Sequence, residues 1–275
     1  MPTSRTNPLP GFHLRLLCLV LGLATTGCTN HAGLPQILPG REARMHNGYL
    51  YYVDGAGGGT AKNNWASGVR QGLIEAGYTG AGEMYSWETG DGLLIDQVAS
   101  VEYKRKKAAG LAAEITNRKK AFPAAPINVL GFSAGTAETI FALEALPPAV
   151  QVRNVVLLGC SLSENYALTK ALRRIDGKLY VFTSKHDRVI GDLMPLSGTT
   201  DRKFNDPGAG INGFVLPAKA SAETRALYKK KVVTIKWRKA EERDGDYARH
   251  FDNIKAPFIR DYVAPYLSVK QPQDG

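Results

Sequence analysis

INVLGFSAGTAETI, residues 127–140, runs from mostly apolar residues through Gly131-Phe132-Ser133-Ala134-Gly135 into a stretch of helix formers. Ile127, Val129 and Leu130 read as a buried parallel strand, and Thr136 to Leu146 reads as a helix. A serine between them sits on a sharp strand-to-helix turn, its hydroxyl lifted clear of the backbone with a helix N-terminus behind it. Gly131 and Gly135 are the small flanks that such a close backbone approach requires. The five-residue pattern is short, so whether Ser133 is a nucleophile or only a small residue in a tight turn depends on its surroundings.

Outward from this stretch, apolar strands alternate with helical patterns. YLYYVDG (49–55) precedes a Gly-rich segment and a helix with Trp65, Val69, Leu73 and Ala76 on one face. A weak strand at Glu83 to Trp87 precedes a long helix from about Leu93 to Lys120, with Leu94, Val98, Val101, Ala108, Ala112 and Ile115 along one stripe, ended by Pro123 and Pro126. After residues 127–146 come a strand at Val155 to Gly159, a helix near Tyr166 to Ile175, strands at Leu179 to Thr183 and Val232 to Trp237, and a terminal helix bearing Phe258, Ile259, Tyr262 and Val263. This alternation predicts an α/β fold: a mostly parallel central sheet with helices on both faces, in one domain over residues 48–270. Residues 201–214, DRKFNDPGAGINGF, read as an irregular loop.

The first 27 residues stand apart from that domain. Arg5 and Arg15 form a positive region, and Leu14 to Leu23 is apolar but too short to span a bilayer. Thr25-Thr26-Gly27-Cys28 follows, and the whole resembles a bacterial lipoprotein signal, with Thr25 where the usual pattern has Leu. The resemblance implies export to the cell envelope, acylation of Cys28 and attachment to a membrane, with residues 28–47 as a linker. Cys18 falls in the signal and Cys28 at its end, so Cys160 alone remains in the domain, as a buried small hydrophobe with no disulfide partner. The formal charge is +10, concentrated in runs at Lys104 to Lys107, Arg118 to Lys120 and Lys229 to Lys231. These read as solvated faces, with attraction to anionic lipid as the sharper alternative. No aromatic interleaving or nucleic-acid module accompanies them, which argues against DNA or RNA as a partner. No Cys and His cluster has metal-site spacing.

A serine hydroxyl needs a base to take its proton and a third group to orient that base. Of five histidines, His13 lies in the signal, His31 in the linker and His46 before the first strand, leaving His186 and His250. Catalytic groups in parallel sheets gather at the carboxyl ends of strands. Asp187 follows the strand ending at Thr183, and His250 follows the strand ending at Trp237, so the chain order is Ser133, Asp187, His250. Asp176, Asp192 and Asp252 are the other candidate acids.

That ordered set, GFSAG (131–135), HDRVI (186–190) and RHFDN (249–253), resembles the α/β-hydrolase family over nearly the whole domain. The resemblance implies Ser133 as nucleophile, His250 as base and Asp187 as its orienting acid. It implies oxyanion donors at the N–H of Ala134 and in the loop DGAGGG (54–59), where Ala56 is the choice and Gly57 the neighbour in register. The family commonly opens this loop with His-Gly; this chain has Asp54-Gly55. A dinucleotide fingerprint in GAGGGT would need glycine where Thr60 stands. About 16 residues separate Cys160 from Gly177, too few for a cap domain there, so an open site is expected. The implied activity is carboxylic ester hydrolysis on a small ester or lipid substrate, without metal or organic cofactor. Thioester or peptide hydrolysis on the same three residues is the alternative, as is a non-catalytic envelope protein keeping the fold as a binding scaffold.

Overall fold

The computed structural model describes residues 40–58, 64–244 and 247–267. The signal segment, Cys28 and the linker up to residue 39 lie outside the described residues, as do residues 268–270 at the end of the expected domain. In chain order the principal elements are β1 (Tyr49–Val53), α1 (Ala66–Glu75), β2 (Ala81–Tyr85), α2 (Leu93–Val98), α3 (Val101–Ala121), β3 (Ile127–Phe132), α4 (Gly135–Ala145), β4 (Val155–Leu158), α5 (Thr169–Leu172), β5 (Leu179–Thr183), α6 (Ala222–Lys231) and β6 (Val232–Lys236). A C-terminal helix, α7, follows as Ala256–Phe258, a π-helical stretch Ile259–Val263, and Ala264–Leu267.

The strands form one sheet in the order β2-β1-β3-β4-β5-β6, and every neighbouring pair is parallel. The chain therefore winds one way from β1 to β2 and the other way from β3 to β6. Such a reversal opens a crevice at the carboxyl ends of the two strands where it occurs. Val53 pairs with Gly131, so the segments leaving β1 and β3 emerge side by side in that crevice.

Parallel strands covered on both faces bury both of their alternating side-chain sets. Tyr49, Tyr51 and Val53 of β1 and Ile127 and Val129 of β3 pack with Ala108, Leu111, Ala112 and Ile115 of α3 and Ala137, Ile140 and Phe141 of α4. The opposite set, Leu50, Tyr52, Leu130 and Phe132, packs with Val69 and Leu73 of α1 and Phe258, Ile259, Val263 and Leu267 of α7. Cys160 is fully buried, and burial pushes its thiol up to about 12, consistent with an inert core residue.

The long helix expected from Leu93 is two helices. Ala99 is extended, and Ser100 starts α3 as its N-cap, the Ser100 hydroxyl accepting the Tyr103 N–H at 3.1 Å. Leu94 and Val98 consequently leave the stripe and face solvent, while Ala108, Ala112 and Ile115 keep their buried places. The second strand is also earlier than its residues suggested, at Ala81–Tyr85.

The basic runs are partly interior. Lys104 is buried, with its Nζ donating to the Gln97 carbonyl at 3.1 Å and its pKa drawn down to about 8 by desolvation. Buried Lys231 donates to the carbonyls of Leu172 and Ile175, and Arg118 lies over the Tyr49 ring and pairs with Glu83. Residues 41–47, assigned by sequence to the linker, make contacts with the sheet: Arg41 pairs with Glu83 at 2.6 Å, and Arg44 donates to the Gly80 carbonyl at 2.8 Å.

The α1 and α7 contact depends on a glycine. A Cβ at Gly72 would lie 2.5 Å from the Ala256 carbonyl oxygen and 2.6 Å from Ile259 Cβ. Gly72→Ala is expected to lower stability by about 1–3 kcal/mol despite the better helix propensity of alanine. A urea unfolding curve measures this, and an unchanged midpoint would contradict the packing described.

Candidate active site

Ser133 sits between β3 and α4 with φ of 51°, in the left-handed region that β-carbon residues rarely occupy. Its N–H donates to the Leu158 carbonyl at the end of β4 (2.9 Å), and its carbonyl accepts from the Thr136 hydroxyl (2.6 Å) and the Ser161 hydroxyl (2.9 Å). The flanking glycines fit the expectation in detail. A Cβ at Gly131 would meet Thr139 Oγ1 at 2.6 Å, and one at Gly135 would meet the Asp54 carbonyl at 2.3 Å.

His250 Nε2 lies 2.9 Å from Ser133 Oγ, and His250 Nδ1 lies 2.8 Å from Asp187 Oδ2. A carboxylate only accepts, so Nδ1–H donates to Asp187 and Nε2 is left to accept from the serine hydroxyl. Both His250 and Asp187 are buried. The second oxygen of Asp187 accepts the Ile190 N–H at 3.0 Å, fixing the carboxylate plane. The imidazole is held by Phe132 and Phe251, at ring distances of 4.9 and 5.1 Å. The two loops are tied together by the Ser184 hydroxyl, which donates to the Ala248 carbonyl at 2.8 Å.

The other candidate acids are engaged elsewhere: Asp192 with Arg188, Asp176 with Arg153, and Asp252 with Arg249 and Lys255. His186 packs beside Trp237, not on Asp187.

The loop after β1 runs against the serine, since a Cβ at Gly55 would lie 3.0 Å from Ser133 Cβ. Its donors are mostly spent. Gly55 N–H donates to Asp54 Oδ1, Gly57 N–H to Asp96 Oδ2 and Gly58 N–H to the Gly55 carbonyl. The N–H groups of Ala56 and Ala134 donate to no described group. Asp54 braces the loop, accepting also from the Tyr52 hydroxyl at 2.8 Å and the Trp65 N–H at 2.9 Å. Among the described residues no group of three or more His, Cys, Asp or Glu is arranged to hold a metal ion.

No protein-family model matches the chain, and no curated protein matches it. Among solved structures it is similar to a mutant of YbtT, a type II thioesterase from the yersiniabactin NRPS/PKS biosynthetic pathway. Identity is 17%, the TM-score is 0.36, and the match covers 81% of this chain and 92% of that one. So remote a likeness carries over no residue, substrate or partner. The fold, read from its strand order and parallel pairings alone, is α/β-hydrolase-like.

Sequence reasoning missed Ser161, Thr136 and Gly159. The first two clasp the serine turn. Gly159 leaves β4 at φ 54°, and a Cβ there would lie 2.9 Å from His250 Cε1 and 3.0 Å from Nδ1. Its only signal was a glycine at the carboxyl end of a strand. Gly159→Ala is expected to displace the imidazole and cut turnover about tenfold or more, in line with the cost of misplacing a reacting group by an ångström. Turnover within twofold of wild type would contradict this packing.

Glu88, beside Trp87 in the wall behind the loop, is buried with one oxygen accepting from the Ser86 hydroxyl. Burial pushes its carboxyl up from 4.5 to about 7. The folded state therefore holds a proton that the unfolded chain has released between about pH 4.5 and 7, and stability falls as pH rises through that window. Glu88→Gln is expected to flatten that fall in Tm, as thermal unfolding across pH 4.5 to 7.5 would show.

Proposed function

We propose that this chain is an exported serine hydrolase of carboxylic esters, anchored to a membrane of a bacterial envelope through acylated Cys28. The reading rests above all on the unbroken hydrogen-bonded row from Ser133 Oγ through His250 to Asp187, at 2.9 and 2.8 Å. In this mechanism Ser133 attacks the acyl carbonyl while His250 Nε2 takes its proton. The Asp187 carboxylate holds the imidazole in the productive tautomer and stabilises the imidazolium that forms. Negative charge on the former carbonyl oxygen is met by the N–H groups of Ala134 and Ala56. His250 then returns the proton to the departing alcohol, and water, deprotonated by the same imidazole, releases the acid.

An apolar acyl group or lipid suits the surroundings. Leu93, Leu94, Ile95 and Val98, all exposed, lie on the short helix whose Leu93 abuts Gly57 of the loop, and Phe251 is exposed beside the imidazole. The signal-like N-terminus would hold such a site close to lipid.

If the three residues act as one unit, Ser133→Ala and His250→Ala each lose on the order of 10⁴-fold in kcat, and the double variant loses little more. Hydrolysis of p-nitrophenyl butyrate measures this, and labelling by a fluorophosphonate reports whether the serine is activated. A folded Ser133→Ala that retains wild-type turnover would remove Ser133 as the nucleophile, and a wild-type chain that neither hydrolyses the ester nor takes the label would overturn the reading in favour of a binding scaffold. Comparing oxygen esters with acyl thioesters of equal chain length separates esterase from thioesterase.

A further inference from the structure

α2 is packed in an unusual sense. Its one buried side chain is Asp96, fully inaccessible, while Leu93, Leu94, Ile95 and Val98 are 47–76% exposed. A six-residue helix that turns its acid inward and its aliphatic residues outward sacrifices apolar burial and desolvates a carboxylate, so the acid must be compensated by specific partners. It has three: Oδ2 accepts the Gly57 N–H at 2.8 Å, and Oδ1 accepts the Thr89 N–H at 2.8 Å and the Thr89 hydroxyl at 2.6 Å. No Lys or Arg among the described residues pairs with it, so its partners are chosen by direction and not only by charge.

Gly57 lies at φ 78° with its Cα hydrogen side against Leu93, where a Cβ would come within 2.8 Å of Leu93 Cβ. A loop carrying glycines at 55, 57 and 58 has wide backbone freedom, and an oxyanion donor is effective only when it is preset. Gly55 N–H is turned to Asp54 and Gly58 N–H back to Gly55, while Gly57 N–H is taken by Asp96. Within residues 55–58, the N–H of Ala56 is the one that donates to no described group.

We infer that Asp96 is the positioning residue of the oxyanion hole: by capturing Gly57 N–H from across 39 residues of sequence it sets the register that presents Ala56 N–H to the acyl oxygen. It touches neither substrate nor Ser133 and acts through the loop. The inference rests on the reading of Ser133 as nucleophile.

The test is steady-state hydrolysis of p-nitrophenyl butyrate by Asp96→Asn, with competent sites counted by fluorophosphonate labelling carried to completion. Asparagine keeps the shape but replaces one accepting oxygen with a donor that faces an N–H. The expected result is a loss of about 10- to 100-fold in kcat per labelled site, the scale of losing one oxyanion donor or less, with KM within about threefold. A purely structural acid would lower the number of labelled sites and leave turnover per site unchanged, which would overturn the proposal. A rise in KM at constant kcat would do the same. If Asp96→Asn does not fold, Thr89→Val removes the hydroxyl that braces the same carboxylate and leaves Gly57 N–H in place. It is expected to cost about three- to tenfold in kcat per site, and unchanged turnover per site would overturn the proposal. Ser133→Ala, run in parallel, separates the two failures. If it is inactive while Asp96→Asn is fully active, the positioning role falls alone; if it is active, the reading of Ser133 as nucleophile falls.

Discussion

The backbone of Ser133, at φ 51°, is the constraint around which the rest of the structure is arranged. A residue with a β-carbon held in that region costs on the order of 1–3 kcal/mol and persists only where its neighbours over-determine it. Here the N–H is fixed by Leu158 of β4, the carbonyl by Thr136 and Ser161, and the two flanking positions admit no side chain. The clasp needs β3 between β1 and β4, so the fold's strand order is what holds the serine hydroxyl out of the sheet end. Ser161 is itself held by Thr200 at 2.6 Å, which ties a distant loop to the same turn.

Because β1 and β3 end together at the reversal of the winding, the loop at 54–58 and the serine turn share one crevice. The acid and the histidine reach it from β5 and from beyond β6. Two buried carboxylates serve this arrangement, Asp187 at the histidine and Asp96 at the loop, and neither is matched by a Lys or Arg among the described residues. Each is satisfied by N–H or hydroxyl donors, which fix direction as well as neutralising the desolvation cost. That is a suitable way to place groups within fractions of an ångström, where a long flexible cation would not.

The net charge of +10 invites a reading in terms of surface binding, yet part of the charge is structural. Lys104 and Lys231 are buried against carbonyl oxygens, and Arg118 supports the first strand through Tyr49 and Glu83. Glu138, on the helix that follows the serine, is buried with neither carboxyl oxygen bonded among the described residues, and desolvation raises its pKa well above the usual carboxylate range. The basic sequence runs therefore overstate the free positive surface.

Much of this was legible in the chain itself. Alternating apolar strands and helical stripes dictated a parallel sheet with two covered faces, and Gly131-x-Ser133-x-Gly135 after a strand dictated the strained turn, because both follow from periodicity and backbone sterics acting over a few residues. The chain order of Ser133, Asp187 and His250 after successive strands pointed to the three side chains that the fold brings into one hydrogen-bonded row. What the sequence did not disclose was the break at Ala99-Ser100, the inward turn of Asp96, the fate of each loop N–H and the crowding of Gly159 on the imidazole. A serine N-cap competes with an apolar stripe on nearly equal terms, and only packing tips the balance. Which of Asp176, Asp187, Asp192 and Asp252 meets His250, and which loop N–H is taken by Asp96, depended on directions of hydrogen bonds between groups tens of residues apart. Such directions exist only once the tertiary structure has fixed where each strand ends.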